Sequence, residues 1–285
     1  MLNLAVAGLA AGGIYALVGV CIVLLYRMAA VVNFSQTFGP ALAVFAMTDF
    51  VGIHGFGMWT SIGMALVLGT VICALQGYAM ARLFRESNVM VRSTVSMAMA
   101  ISLFALTVRI FHDTNRFFPA LFNTLSFKVS DVRVSGQSVM AFAGATLVSL
   151  ALWLLLSYTR VGVILRAVSG RPITAELMGV RTTPLIVGVW ALAGLITTAG
   201  MVLVAPTRSS IPNMVILLIP AMVAAICGGM RSFTRTAIGG IALGMLESTA
   251  LDWGKIGEYR PALAFVFVSM VLLWSQRKET WSEAR

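Results

Sequence analysis

Two amide side chains, Asn33 and Gln36, lie near the start of the apolar stretch 31–52. On a helix, residues three positions apart share one face, and Pro40 removes a backbone hydrogen bond shortly afterwards. Amides beside an interrupted helix can line a polar path through a membrane, because the freed backbone groups need partners. They can equally join neighbouring helices by hydrogen bonds. The sequence leaves both roles open for Asn33, Gln36 and Pro40.

Glu247 is the acidic residue that lies deepest in an apolar stretch, 235–251. A carboxylate inside a membrane is costly, and such a residue is a functional candidate by default. Glu247 could belong to the same polar path, or it could lie near the end of its helix within reach of water. The sequence allows either position.

A polar segment, residues 159–181, separates two long apolar stretches and contains four arginines but one glutamate. Pro172 suits the first turn of a helix and Gly179 suits a left-handed C-terminal cap. The helix predicted between them has about two turns, or ~11 Å, and is too short to be stable alone. It must pack on the membrane surface or on another protein.

These residues must be positioned by membrane helices. Hydrophobic residues make up 59% of the 285 positions and charged residues 11%, whereas a soluble domain is about half apolar and a quarter charged. The net charge of +10 would favour nucleic acid in a soluble protein. Here the basic residues occupy short gaps between apolar stretches, so we expect the lipid bilayer and not nucleic acid as the partner.

Nine apolar stretches are long enough, or nearly long enough, to cross a bilayer, which takes about 20 helical residues. They are 2–26, 31–52, 60–81, 92–111, 138–157, 184–205, 213–228, 235–251 and 261–275. We therefore predict an all-α, polytopic membrane helical bundle of eight or nine transmembrane helices, some of them short or broken. No soluble insert is present, so residues 1–285 are expected to form a single membrane domain.

The basic residues predict an orientation. With nine crossings and the N-terminus outside, thirteen Lys and Arg fall on the inner side and seven on the outer side. Basic loops favour the cytoplasm, so the segment 159–181 and the C-terminus are expected there.

Small residues predict where helices pack closely. Gly8 and Gly12 form one small-xxx-small pair, and Gly240 and Gly244 form another. We also assign Gly228 and Gly229, which precede the second pair, to helix packing. The three cysteines and two histidines show no metal-ligand spacing, and neither a metal nor another cofactor is expected.

The sequence contains no G-x-x-x-x-G-K-[ST] phosphate-binding loop, so we do not expect the chain to hydrolyse ATP or to be an enzyme. Paired intramembrane acids, which serve proton relays, are missing too. A membrane protein without an energy-converting motif is expected to be driven by a partner.

The polar segment resembles the cytoplasmic segment of the membrane permeases of branched-chain amino acid ABC importers. The family pattern is T-x-x-G-x-x-x-R-A followed by A-x-x-x-G-[IV]. It is matched here by Thr159, Gly162, Arg166, Ala167, Ala175, Gly179 and Val180. Residues 12–17 are similar to the opening helix of the family, 33–36 to its Asn-Phe-Ala-His/Gln motif, and 228–247 to its Gly-Gly-x-Gly-Ser … Gly-Gly … Glu stretch.

This resemblance implies the permease of an importer in the bacterial plasma (inner) membrane. It implies a similar or identical second permease, two cytoplasmic ATPase subunits and an extracytoplasmic solute-binding protein. The short cytoplasmic helix would be the coupling helix, seated on the ATPase. Its candidate contact residues are Arg166, Arg171, Thr174, Glu176, Leu177, Met178 and Gly179.

The sequence departs from the family pattern at Thr37, where glycine is usual, and at Arg231, which replaces a motif glycine. These departures concern the substrate, for which we expect an amino acid or an amino-acid-like compound. Two other functions stay open: a transporter driven by an ion gradient, for which Glu247 is the available site, and a membrane assembly protein that does not transport.

Overall fold

The structure is a computed structural model that describes residues 2–29, 31–112, 116, 118, 127–129, 132–134, 136–170, 172–207, 210–250 and 260–283. In this part of the chain, most residues of the apolar stretches are helical, and the polar segment 159–181 contains two further helices. The helices are α1 (Leu2–Ala29), α2 (Phe38–Gly52), α3 (Met58–Leu83), α4 (Val89–Phe111), α5 (Gly136–Tyr158), α6 (Arg160–Gly170), α7 (Pro172–Leu177), α8 (Thr182–Val204), α9 (Ile211–Val215), α10 (Leu218–Cys227), α11 (Phe233–Thr249) and α12 (Arg260–Glu283).

Five helices of the described chain are long and apolar enough to cross a membrane, namely α1, α3, α4, α5 and α8. The apolar parts of α2, of α9 with α10, and of α12 are shorter, at 10–17 residues. The molecule is thus the predicted helical membrane bundle with long and short helices. It also contains a small antiparallel hairpin of β1 (Phe127–Val129) and β2 (Val132–Val134), which the all-α prediction did not include.

Helix α1 lies at the centre of the bundle, against α5, α8, α10 and α11. Residues 12–25 of α1 are buried on every side, as expected of a helix that is apolar all round. Its close neighbour α11 runs antiparallel to it, since the Arg27 guanidinium near the end of α1 lies 5.0 Å from the ring centre of Phe233 at the start of α11.

Helices α3 and α8 form the second closely packed pair. A Cβ atom built on Gly77 would lie 2.5 Å from Cβ of Trp190, so only a glycine fits against this indole. By contrast, Val67, Val71 and Leu75 expose one stripe of α3, as expected of a helix that faces lipid or another subunit.

The second apolar stretch does not form the single crossing that its length predicted. Residues 31–37 are non-helical, and α2 begins only at Phe38. The 15 residues of α2 are too few for a full crossing, which takes about 20. Pro40 lies in the first turn of α2, where no backbone N–H is needed. The helix is therefore interrupted before Pro40 and not at it.

Candidate coupling surface and buried polar cluster

Within the described residues, the polar segment contains two helices, α6 and α7. Helix α7 begins at Pro172 and is followed by Gly179, whose φ is +84°. The Gly179 N–H donates to the Glu176 carbonyl at 2.8 Å, and the Val180 N–H donates to the Ala175 carbonyl at 3.1 Å. This pair of bonds is a Schellman C-cap, which requires a left-handed residue such as glycine.

One face of this segment is anchored and its tip is free. Leu165, Val168 and Ala175 are buried against the bundle. Leu177 and Met178, at the end of α7, are 84% and 79% exposed. Two large apolar side chains exposed on a capped turn are typical of a surface that lipid or another protein covers.

Glu176 is engaged within the chain. Its carboxylate forms an ion pair with Arg85, in the turn between α3 and α4, and accepts a hydrogen bond from the Thr182 hydroxyl at the start of α8. The turn itself is held by Arg92, whose guanidinium donates to the carbonyls of Phe84 at 3.0 Å and Ala29 at 3.2 Å. Helix α7 is thus connected to the C-terminal ends of α1 and α3 and to the start of α8.

Three of the predicted coupling residues lie outside what the structure describes. Arg171 is among the undescribed residues, and so are the side chains of Arg166 and Thr174. Their contact roles stay predictions.

Asn33 and Gln36 come together at the break between α1 and α2, through a turn and not through a helical face. Asn33 Nδ2 donates to Gln36 Oε1 at 2.9 Å, and Gln36 Nε2 donates to the Thr197 hydroxyl at 2.7 Å and the Ala193 carbonyl at 3.2 Å. Both amides are buried. These bonds tie the non-helical segment to α8.

Further members of this polar cluster were not predicted from the sequence. Ser35 Oγ donates to Asn33 Oδ1 at 2.7 Å, and Gln76 Nε2 of α3 donates to Ser35 Oγ at 3.0 Å. Ser96 Oγ of α4 donates to the Val32 carbonyl at 3.1 Å. Gln76 could have been noticed, because it is the one amide in the apolar stretch 60–81. Ser96 and Thr197 carry no such signal.

Glu247 is buried and accepts a hydrogen bond from the Tyr15 hydroxyl at 2.9 Å. It therefore lies between α1 and α11 and not at a solvated helix end. Within the described residues, no group of three His, Cys, Asp or Glu side chains could hold a metal ion.

Four of the predicted packing glycines lie at the α1–α11 contact. A Cβ on Gly8 would lie 2.5 Å from the Gly244 carbonyl oxygen, and one on Gly12 would lie 2.8 Å from Ile241 Cα. A Cβ on Gly240 would lie 2.5 Å from Ala16 N, and one on Gly244 would meet the Gly12 backbone. The backbones approach as closely as glycine allows.

Gly228 and Gly229 lie in the turn after α10 and differ in their roles. A Cβ on Gly228 would meet Thr236 of α11. A Cβ on Gly229 would meet no atom within 4 Å, so the prediction that Gly229 packs helices is wrong. Its φ of +61° makes it a turn residue, because left-handed backbone favours glycine.

Comparison with known proteins agrees with this architecture. Residues 4–275 match the model of the family described as branched-chain amino acid transport system / permease component. The chain is 23% identical to the high-affinity branched-chain amino acid transport system permease protein BraD of Pseudomonas aeruginosa, covering 94% of this chain and 91% of BraD. It is 22% identical to LivH of Escherichia coli strain K12, covering 93% and 91%.

Among solved structures, an inward-facing metal-chelate type ABC transporter has a TM-score of 0.52, with 19% identity over 95% of this chain and 85% of that one. This likeness concerns the fold. Spanning helices and bacterial relatives together describe a multi-pass protein of a bacterial inner membrane. Since the family match covers nearly the whole chain, the chain belongs to the branched-chain amino acid transport system permease family.

Proposed function

We propose that the chain is the membrane permease of an ATP-driven importer for an amino acid or an amino-acid-like solute. It would work by alternating access, driven by separate ATPase subunits. The observation that carries this proposal is the tip of α7. Leu177 and Met178 are exposed on a capped turn, while Glu176 beside them connects to Arg85 and Thr182.

This arrangement suits the transmission of a displacement. A partner that binds Leu177 and Met178 would move α7 as a unit, because the Schellman cap fixes its end. The contacts of Glu176 would then carry the movement to the α3–α4 turn and to α8. For ATP to change the access state, the ATPase must bind the two states of the permease with different affinity.

The solute class is inferred from the relatives and from this chain's polar residues. BraD and LivH are named as permeases for branched-chain amino acids, and we propose a related solute here. Asn33 and Gln36 are satisfied by each other and by α8 in this state. We propose that this cluster holds the α1–α2 break beside the path, where a change of state could release its amides to the solute.

The assembly would follow from the family. We propose a second permease, identical or homologous, two ATPase subunits below α7, and an extracytoplasmic binding protein that delivers the solute. The excess of basic residues on the α7 side supports a cytoplasmic α7 and C-terminus and an outer N-terminus.

An ion-driven mechanism has less support. It would depend on Glu247, which is buried and hydrogen-bonded to Tyr15 where α1 and α11 pack on glycine contacts. This environment suits a structural role, and we favour the ATP-driven mechanism.

The proposal is tested by purifying the tagged full chain from its native membrane in mild detergent and quantifying the ATPase subunits that accompany it. Leu177→Ser should remove most of the ATPase and solute uptake while the permease stays folded. The matched control is Ile53→Ser. The Ile53 side chain is 74% exposed and lies in the turn between α2 and α3, away from α7. If wild-type chain carries no ATPase, or if both variants retain it equally, the coupling assignment is wrong. ATPase retained without any uptake would favour an assembly protein.

A further inference from the structure

A cavity of about 310 Å³ lies at the α7 end of the molecule. It is enclosed by the ends of α1 and α3, the starts of α4 and α8, and α6. Its volume is at the lower end of the range for small-molecule sites, about 300–1,000 Å³. The proposed solute path and coupling surface do not account for this space.

The lining changes in character from the mouth inwards. The exposed or half-buried lining residues include Arg85, Ser87, Asn88 and Arg92. The buried ones include Met28, Val31, Met80 and Trp190. The cavity therefore fits an amphiphile with a polar head at the mouth and an apolar chain inside.

The charge at the mouth selects an acidic head. Two guanidinium groups, of Arg85 and Arg92, line it, and Glu176 neutralises the first. Within the described chain, Arg92 contacts backbone carbonyls and no carboxylate. Glu86 lies in the same turn but does not line the cavity. Arg92 is thus the lining cation that no carboxylate among the described residues pairs with, and arginine pairs well with a phosphate group.

The surroundings of the mouth point to a lipid. Leu83 and Met90, on either side of the α3–α4 turn, are largely exposed apolar side chains. Apolar residues next to a basic turn at the end of membrane helices are typical of the boundary between acyl chains and headgroups. Basic pockets between transmembrane helices on the cytoplasmic side are known sites for acidic lipid headgroups.

Trp190 gives an independent indication of a ligand. Its side chain lines the cavity and is fully buried, yet its indole N–H has no hydrogen-bond partner within the described structure. A buried donor without a partner is rare and costly. A ligand with a hydrogen-bond acceptor would supply the missing partner, and the ester carbonyls of a phospholipid are such acceptors.

We propose that this cavity binds one anionic glycerophospholipid, with its phosphate beside Arg85 and Arg92 and part of an acyl chain against Met28, Met80 and Trp190. The site would hold the lipid next to the Arg85–Glu176 ion pair. This inference goes beyond the proposed function and does not depend on it, since binding is measured without ATPase or solute.

The test uses the purified full chain in detergent and phosphatidylglycerol with brominated acyl chains, which quench nearby tryptophans. The difference in quenching between the wild type and Trp190→Phe measures the contribution of Trp190, which lines the cavity. Brominated phosphatidylcholine tests the need for an acidic head, and inorganic phosphate tests whether the head alone is bound. We expect quenching of Trp190 by phosphatidylglycerol at several-fold lower concentration than by phosphatidylcholine, and no displacement by millimolar phosphate.

The variant Asn88→Asp places a negative charge at the mouth while keeping the side-chain oxygen that caps α4 by accepting from Val91 N. We expect it to weaken phosphatidylglycerol binding about tenfold by repulsion. Ser232→Asp is the matched control, because it adds the same charge at the cap of α11, outside the cavity lining. The lipid site is refuted if Trp190 is not quenched, if both lipids act equally, or if Asn88→Asp behaves like Ser232→Asp. Displacement by phosphate would instead identify a free-phosphate site.

Discussion

Arg85 and Glu176 form an ion pair that joins the α3–α4 turn to helix α7. They are 91 positions apart in the sequence, and the Thr182 hydroxyl binds the same carboxylate. Together, these two contacts connect the exposed tip of α7 to the long helices that would have to move during transport.

Breaking this pair should uncouple transport more than it destabilises the fold. Arg85 is about half exposed, and such pairs contribute about 1 kcal/mol or less to the free energy of unfolding. We expect Glu176→Gln to reduce uptake about tenfold with little change in thermal unfolding, and ATPase activity to become less dependent on solute. Uptake and ATPase activity in reconstituted vesicles measure this.

The control for the ion pair is the charge exchange Arg85→Glu with Glu176→Arg. It should recover part of the uptake that either single variant loses, because it restores the attraction with its sign reversed. If the exchange is no better than the single variants, the pair does not transmit movement.

The cap of α7 should tolerate only residues that accept left-handed backbone. At Gly179, with φ of +84°, an L-residue costs about 1–2 kcal/mol. Gly179→Ala should shift the α7 tip and weaken ATPase binding, whereas Gly179→Asn should retain most of it, since asparagine tolerates this conformation. Co-purification of the ATPase compares them. Equal behaviour of the two variants would mean that the cap is unimportant.

The glycine positions at the contact between α1 and α11 should not tolerate a larger residue. A Cβ on Gly244 would meet the backbone of Gly12, so Gly244→Val must separate the two helices. We expect a fall of about 2–12 °C in the midpoint of thermal unfolding in detergent, because overpacking typically costs about 1–3 kcal/mol and each kcal/mol lowers the midpoint by about 2–4 °C in a large domain. Gly63→Val is the control, because a Cβ at Gly63 meets no atom within 4 Å, and it should unfold like wild type.

Removing the central amide of the polar cluster should destabilise the protein. Gln36→Met leaves buried polar groups of Asn33 and Thr197 without their partner, each at a cost of about 1–3 kcal/mol. Thr197→Val should cost less, because Gln36 Nε2 retains the Ala193 carbonyl. Thermal unfolding of both variants and of their combination measures the coupling, and strictly additive effects would contradict a shared network.

Glu247→Gln distinguishes the two sources of energy. Glutamine keeps an acceptor for the Tyr15 hydroxyl, so an ATP-driven permease should retain most of its uptake. A proton-driven carrier would lose uptake, because glutamine cannot take up a proton. Uptake is measured for the variant and, with and without an uncoupler, for the wild type. Loss of uptake both in the variant and in the wild type with uncoupler would overturn the ATP-driven proposal.

The sequence by itself determined the class of protein and its local structure. Apolar stretches of membrane length and the Pro172…Gly179 pattern report short-range physics, because helix length and capping depend on neighbours in the chain. Glycines spaced four apart mark a helix face that allows close approach, but they do not identify the partner helix. The family match at 4–275 rests on the same linear patterns.

The tertiary structure decided which partners the polar residues take. Nothing near Glu176 in the sequence indicated Arg85, and nothing near Glu247 indicated Tyr15. The interruption before Pro40 also depends on distant residues, since buried non-helical backbone is stable only where neighbouring helices supply hydrogen bonds, as Ser96 does here for Phe34 and Val32. Such contacts form when helices far apart in the chain pack together, and residue types along the chain do not record that packing.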